Sequence, residues 1–256
     1  MTSQPIEAYG GVAVPTDLLR QLADQFTEQG LPFHRDHDLT KPIRMRHVQA
    51  FVKERSDGIA ELRFTADLHK DDTQWLESHP GVSATLMSPL ARDQGRRSSI
   101  FPALQISADH AWFDDEALIE SERALVSHGL SPDDVLVQRA YQFGMVPSAQ
   151  IFATVVLPVF LSLGAAAIWD GIKLLFKRRR TPLGGDQSAT TTLNITVVDG
   201  DRSLNAVVAS SEEAVAERAL QSLEVVVEQF LGGTNDAHHR PLTVWDDENW
   251  EWTPPS

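Results

Sequence analysis

Residues Ile151 to Trp169 read IFATVVLPVFLSLGAAAIW, 19 consecutive residues without a charge. Lys173 and the run Lys177-Arg178-Arg179-Arg180 follow. As one α-helix at ~1.5 Å per residue the stretch would be ~28 Å long, about the hydrocarbon thickness of a bilayer. Only Thr154 and Ser162 are polar, so no polar face exists for an amphipathic surface helix. Pro158 is tolerated within a bilayer. Trp169 stands where an interfacial aromatic would lie, and the basic run stands where a cytoplasmic flank would. The expectation is a single membrane-spanning helix with membrane contacts at Ile151, Leu157, Pro158, Trp169 and Lys177 to Arg180. The competing reading is the buried central helix of a cytoplasmic, soluble protein. The orientation of a span stays open, because the basic flank places the front part outside while the N-terminus, MTSQPIEAYGG, is no secretory signal.

The flanks carry the opposite charge. Of the net −14, residues 1–150 hold −8, residues 151–180 hold +4 and residues 181–256 hold −10. Two acidic flanks argue against nucleic acid, whose binding needs clustered Lys and Arg; Arg96-Arg97 is too small a cluster. The basic block could instead meet anionic headgroups of a lipid bilayer. With no cysteine, disulfides, thiolate metal sites and cysteine nucleophiles are excluded.

Working outward, the expected fold class is α+β, with a β-rich front domain at 1–145. An apolar helix with its basic flank then occupies 146–180, a linker 181–192, a ββα module 193–233 and a flexible acidic, Trp-rich tail 234–256. In the front domain a strand is expected at Ile6 to Val14. Thr16 caps a helix with Leu18, Leu19, Leu22 and Phe26 on one face. Ser56-Asp57-Gly58 joins strands His47 to Lys53 and Glu61 to Leu68. Helices are expected over Asp72 to His79 and Asp115 to His128, and another from Ser131-Pro132 to Gly144. In the rear part Asp199-Gly200-Asp201 joins Leu193–Val198 to Ser203–Ala209. Ser210 with Glu213 boxes a helix running to about Leu231. No internal repeat is visible. The ββα module, with the tail, is the expected docking element for a protein partner or for a second copy in a homo-oligomer.

Two polar features mark the front domain. His34, Asp36, His37 and Asp38 crowd one loop, and Ser83 follows the Pro80-Gly81 break. Over roughly residues 5–112 the order of pieces resembles the prohead maturation proteases of tailed phages, serine peptidases related in fold to herpesvirus assemblin. The matching pieces are His37-Asp38, Lys41-Pro42-Ile43, the Asp57-Gly58 hairpin, the Asp72 to His79 helix and Gly81-Val82-Ser83. Arg44 stands where that family has glycine, and Ala84-Thr85 follow the serine where a glycine-aromatic step is expected. The resemblance implies Ser83 as nucleophile and His37 as its base, with Asp109 or His110 as the third member of a peptide-hydrolysing triad. It implies no cofactor, and H-x-x-H in a loop without a third ligand implies no metal. The alternative to such a membrane-anchored, peptidase-like enzyme is a non-enzymatic, membrane-associated protein that senses or recruits partners.

Overall fold

A computed structural model describes residues 2–5, 11, 13–29, 33–35, 38–78, 84–90, 102–143, 149–181, 190–232 and 241–254. It is a mixed α and β protein that divides into two compact units. The smaller comprises residues 1–86 with 142–147, the larger 87–141 with 148–256. Residues 87–141, expected in the front domain, thus pack with the rear of the chain.

In the smaller unit, α1 (Thr16–Gln29) is followed by the short antiparallel pair β1 (His34–Arg35) and β2 (Asp38–Pro42). The hairpin β3 (Met45–Glu54) and β4 (Ala60–Leu68) comes next, then α2 (Lys70–Ser78). The hairpin turns where Asp57-Gly58 places it. Gly58 has φ +81°, and the Asp57 carboxylate accepts the Ile59 N–H at 3.2 Å. α1 lays Leu19, Leu22 and Phe26 onto Ala60 and Leu62, with Ala50 and Val52 flanking. A second cluster joins Phe33 and Ile43 to Met45, Leu68 and Trp75. Beside it the buried Asp72 carboxylate accepts from Arg35 Nη2 at 2.5 Å and Arg44 Nε at 2.9 Å. Burial works against its charge, but the two arginines outweigh burial and hold its pKa below the ordinary value.

The larger unit contains most of an eight-stranded sheet in the order β12-β11-β10-β9-β8-β6-β7-β5, of which residues 84–86 and 142–143 are counted with the smaller unit. Its elements are β5 (Ala84–Pro89), β6 (Leu104–Asp109), α3 (Asp115–Ser127), β7 (Val135–Phe143), β8 (Ala149–Val156) and α4 (Leu157–Lys177). Then come β9 (Thr191–Asp199), β10 (Arg202–Ser210), α5 (Glu213–Gly232), β11 (Leu242–Asp246) and β12 (Glu251–Thr253). Three times a strand, a helix and a parallel neighbouring strand follow one another: β6-α3-β7, β8-α4-β9 and β10-α5-β11. The repetition is one of connectivity, carried by three dissimilar sequences. In the four central strands, alternate residues are closed to solvent on one face: Ile106, Ala153, Ile195 and Ala206 stand in register. α4 lies between α3 and α5, packing Ile168, Ile172 and Leu175 inward. Gly171 lets it approach α3 so closely that a Cβ there would meet Leu125 at 2.8 Å.

The apolar stretch is therefore not one helix. Ile151 to Val156 complete β8, and the helix begins at Leu157 with Pro158 in its first turn. The reason is local and tertiary together. Ile151, Thr154, Val155 and Val156 are β-branched, and proline suits a helix start. A strand buried on both faces reads as a continuous apolar run, as a membrane helix does. α4 is itself broken at Gly164, whose φ of +73° and ψ of +162° leave the helical region. Glu224 Oε1 from α5 accepts the freed Ala165 N–H at 3.1 Å.

Two further expectations are corrected. After a single 3-10 turn at Pro132–Asp134 the chain forms β7, not a helix to Gly144. Val135 and Val137 are buried in alternation with Leu136 and Gln138, a period of two. Nor is residue range 241–254 a flexible tail. It supplies β11 and β12, with Trp245 against Trp252 edge to face, their centroids 5.5 Å apart. Trp252 Nε1 donates to Ser222 Oγ at 3.0 Å and the Ala219 carbonyl at 3.2 Å, tying the strands to α5. The strand at Ile6–Val14 lies largely outside the described residues.

Candidate functional site

The sequence-derived site falls into two parts. Ser83 and His37 lie outside the described residues, as does Asp36, and Asp38 is described only as backbone in β2. Asp109 and His110 are described, and they occupy the corner where parallel β6 and β7 end and α3 begins. In open α/β sheets such strand ends are where binding crevices form.

Asp109 is the last residue of β6 and is fully buried. Its carboxylate accepts the Ala111 N–H at 2.9 Å, and its carbonyl accepts from Trp112 and Phe113 at 3.1 and 2.9 Å. It builds the turn that presents His110. The His110 N–H reaches the Ala140 carbonyl of β7 at 2.8 Å, and its ring stands edge-on to Tyr141, centroids 5.7 Å apart. Its Nδ1 lies 3.8 Å from Asp115 Oδ1, too far for a hydrogen bond. Asp115 is instead gripped by Arg139 of β7, whose Nε and Nη2 both donate to it. That grip lowers the pKa of Asp115 and raises that of Arg139. Burial, then the charges of Arg139 and Arg180, push the His110 pKa below its ordinary value; Asp115 and the Phe113 carbonyl pull the other way and lose.

The third wall comes from beyond α4. Arg180 donates from Nη2 to the His110 carbonyl and from Nε to the Ala111 carbonyl at 3.1 Å, while its own N–H reaches the Trp112 carbonyl at 2.9 Å. Its neighbours in the basic run are equally engaged. Arg178 pairs with Glu120 at 2.6 Å and Glu116 at 3.4 Å. Arg179 sits over the Trp112 ring at 5.7 Å and donates to Thr191 Oγ1 at 3.0 Å. Lys177 lies 3.6 Å from Glu213. Of the other residues expected at a membrane, Ile151, Leu157 and Trp169 are buried, Trp169 against Phe176, and Pro158 is exposed.

Asp109 and His110 are thus adjacent but face different tasks, one building backbone and one lining the corner. Asp115, Arg139 and Tyr141 join them without having been singled out as site residues, and Arg180, expected at a membrane surface, joins them too. Reading 135–143 as a strand would have placed Arg139 and Tyr141 on one face; no local signal connects Arg180 to them. Among the described residues no group of three or more His, Asp or Glu is arranged to hold a metal ion. Chemically the corner offers a partly buried imidazole, held below its ordinary pKa, beside a carboxylate already committed to an arginine. It can take up a proton, and it holds three chain segments together. Comparison with protein-family models, with characterised proteins and with solved structures found no match to this chain.

Proposed function

We propose that the chain is a water-soluble, partner-recruiting protein whose larger unit serves as a recognition scaffold. One observation carries the reading: each cation of the run Lys177 to Arg180 has a protein partner within the larger unit, and the helix before it is packed between two others. Leu157–Lys177 is long and apolar enough to cross a membrane by length and composition, but 44% of its most apolar window is buried inside the protein. Such a helix, broken at Gly164, serves as the core of a sheet-and-helix layer. Recruitment is favoured by Trp250, which is 59% exposed in the turn between β11 and β12, with the Arg218 guanidinium stacked 3.6 Å from its ring centroid. Exposed, pre-positioned aromatics are the residues that dominate protein interfaces.

Alkaline carbonate extraction of membranes from expressing cells tests this. Release of the full chain into the supernatant is expected; retention until detergent is added overturns the reading and restores the single span. The membrane-anchored peptidase is tested separately. A fluorophosphonate probe is expected to leave the protein unlabelled, and labelling abolished by Ser83→Ala would establish the serine nucleophile instead.

A further inference from the structure

One atom of the corner is shielded without a task. His110 Nδ1 is closed to water and has no hydrogen-bond partner among the described residues. The charged and titratable groups around it come from four elements. Asp109, its carboxylate engaged with Ala111, ends β6. Asp115 opens α3, Arg139 and Tyr141 lie on β7, and Arg180 follows α4. A proton on Nδ1 adds a cation beside the two guanidinium groups of Arg139 and Arg180.

We propose that His110 is an acid-operated release for the clasp by which Arg180 holds the His110–Trp112 corner. A proton taken from water by the Nδ1 lone pair forms an N–H bond that needs an acceptor. Asp115 Oδ1, 3.8 Å away, and the Phe113 carbonyl are the acceptors that face the ring, and to reach Asp115 the carboxylate must turn away from Arg139. The Arg180 guanidinium, meanwhile, is bonded to the His110 carbonyl and now faces a cationic ring on the same residue. Repulsion and the loosened Asp115–Arg139 pair both act to detach the segment after α4. The direction with pH follows from linkage. The ring is held below its ordinary pKa in the closed corner, so the open corner binds the proton more readily. The clasp is complete above the ordinary histidine value of about 6.5 and weakens as pH falls below it. The proposal rests on the Arg180 contacts it shares with the water-soluble reading, but not on the recruitment of partners.

The Arg180 amide is a direct reporter, because its N–H is bonded to the Trp112 carbonyl only while the clasp is closed. Hydrogen exchange of the full chain, read by NMR at pH 7.5 and 5.5 and corrected for intrinsic rates, is the experiment. In the wild type, Arg180 protection is expected to fall at pH 5.5 by at most roughly tenfold, because that pH lies about one unit below the ordinary histidine value. In His110→Gln, which cannot gain the proton, protection is expected to stay level. No fall in the wild type, or an equal fall in the variant, overturns the proposal. Should the variant not fold, the ring carbon shifts of His110 in the wild type decide: a midpoint below that of an exposed histidine supports the release, and one at or above it refutes it.

Discussion

The hairpins β3-β4 and β9-β10 start from the same local chemistry and end in different surroundings. Each turns on an Asp-Gly pair with the glycine at positive φ, +81° at Gly58 and +60° at Gly200. The first remains a two-stranded ribbon with α1 on one side, leaving Phe51 47% exposed. The second is inserted in the middle of an eight-stranded sheet, where Leu193, Ile195, Leu204 and Ala206 are sealed. Turn chemistry decides that two strands pair; what lies beside and above them decides how much their side chains stabilise the fold. Beside the ribbon, the smaller unit also holds a buried carboxylate, Asp72 of α2, between two arginines, whereas the centre of the sheet is packed with apolar side chains.

Several substitutions break or sharpen that contrast. Asp72→Ala in the smaller unit removes a buried carboxylate that accepts from both Arg35 and Arg44, and a loss of about 3 kcal/mol is expected in urea unfolding. The same carboxylate makes the smaller unit acid-sensitive. Its folded pKa is depressed, so its contribution is present above the unfolded value of 3.8 and disappears as pH falls through the lower folded value. Circular dichroism below pH 4 should show this loss in the wild type and not in Asp72→Ala. Ile195→Ala, at the centre of the sheet, should cost about 3 kcal/mol, read by the same urea titration. Gly164→Ala forces a Cβ into a left-handed conformation at the break in α4 and should cost about 1–2 kcal/mol. Phe51→Ala, the ribbon counterpart of the Ile195 change, should shift stability by less than about 0.5 kcal/mol. Equal losses at Phe51 and Ile195 would sink the contrast.

Much of the secondary structure was legible, and the errors share one cause. α1, α3, α5 and both Asp-Gly hairpins follow from caps, turn residues and periodicity, signals that act within a few residues. The failures at Ile151–Val156 and at Val135–Phe143 came where a strand is buried within the sheet. At Ile151–Val156 the apolar run hides the alternation that distinguishes strand from helix, and at Val135–Phe143, where a period of two is present, the Ser131-Pro132 start signal pointed to a helix; pairing within the sheet decided both. The same blindness hid the corner. Asp109 and His110 were visible as a polar pair, but Arg139 and Arg180 are 30 and 70 residues from His110 or its neighbour and meet it only through parallel pairing and the return of the chain after α4. The Trp-rich end misled for a related reason. Acidic composition suggests a solvated tail, whereas Trp245 and Trp252 bind it to β10 and α5.

From its residues alone this chain determined where its hairpins turn and that most of residues 151–169 favour a dry environment. Those outcomes depend on steric limits, hydrogen bonds to nearby groups and the hydrophobic effect, all of which act locally. Where the apolar residues go was decided only by tertiary structure. Lipid and a protein interior are equally dry, and the sequence carries no term that separates them. In the folded chain these residues meet neighbours distant in the sequence: Leu125 against Gly171, Glu224 at the broken turn, and acids and carbonyls that take up the basic run.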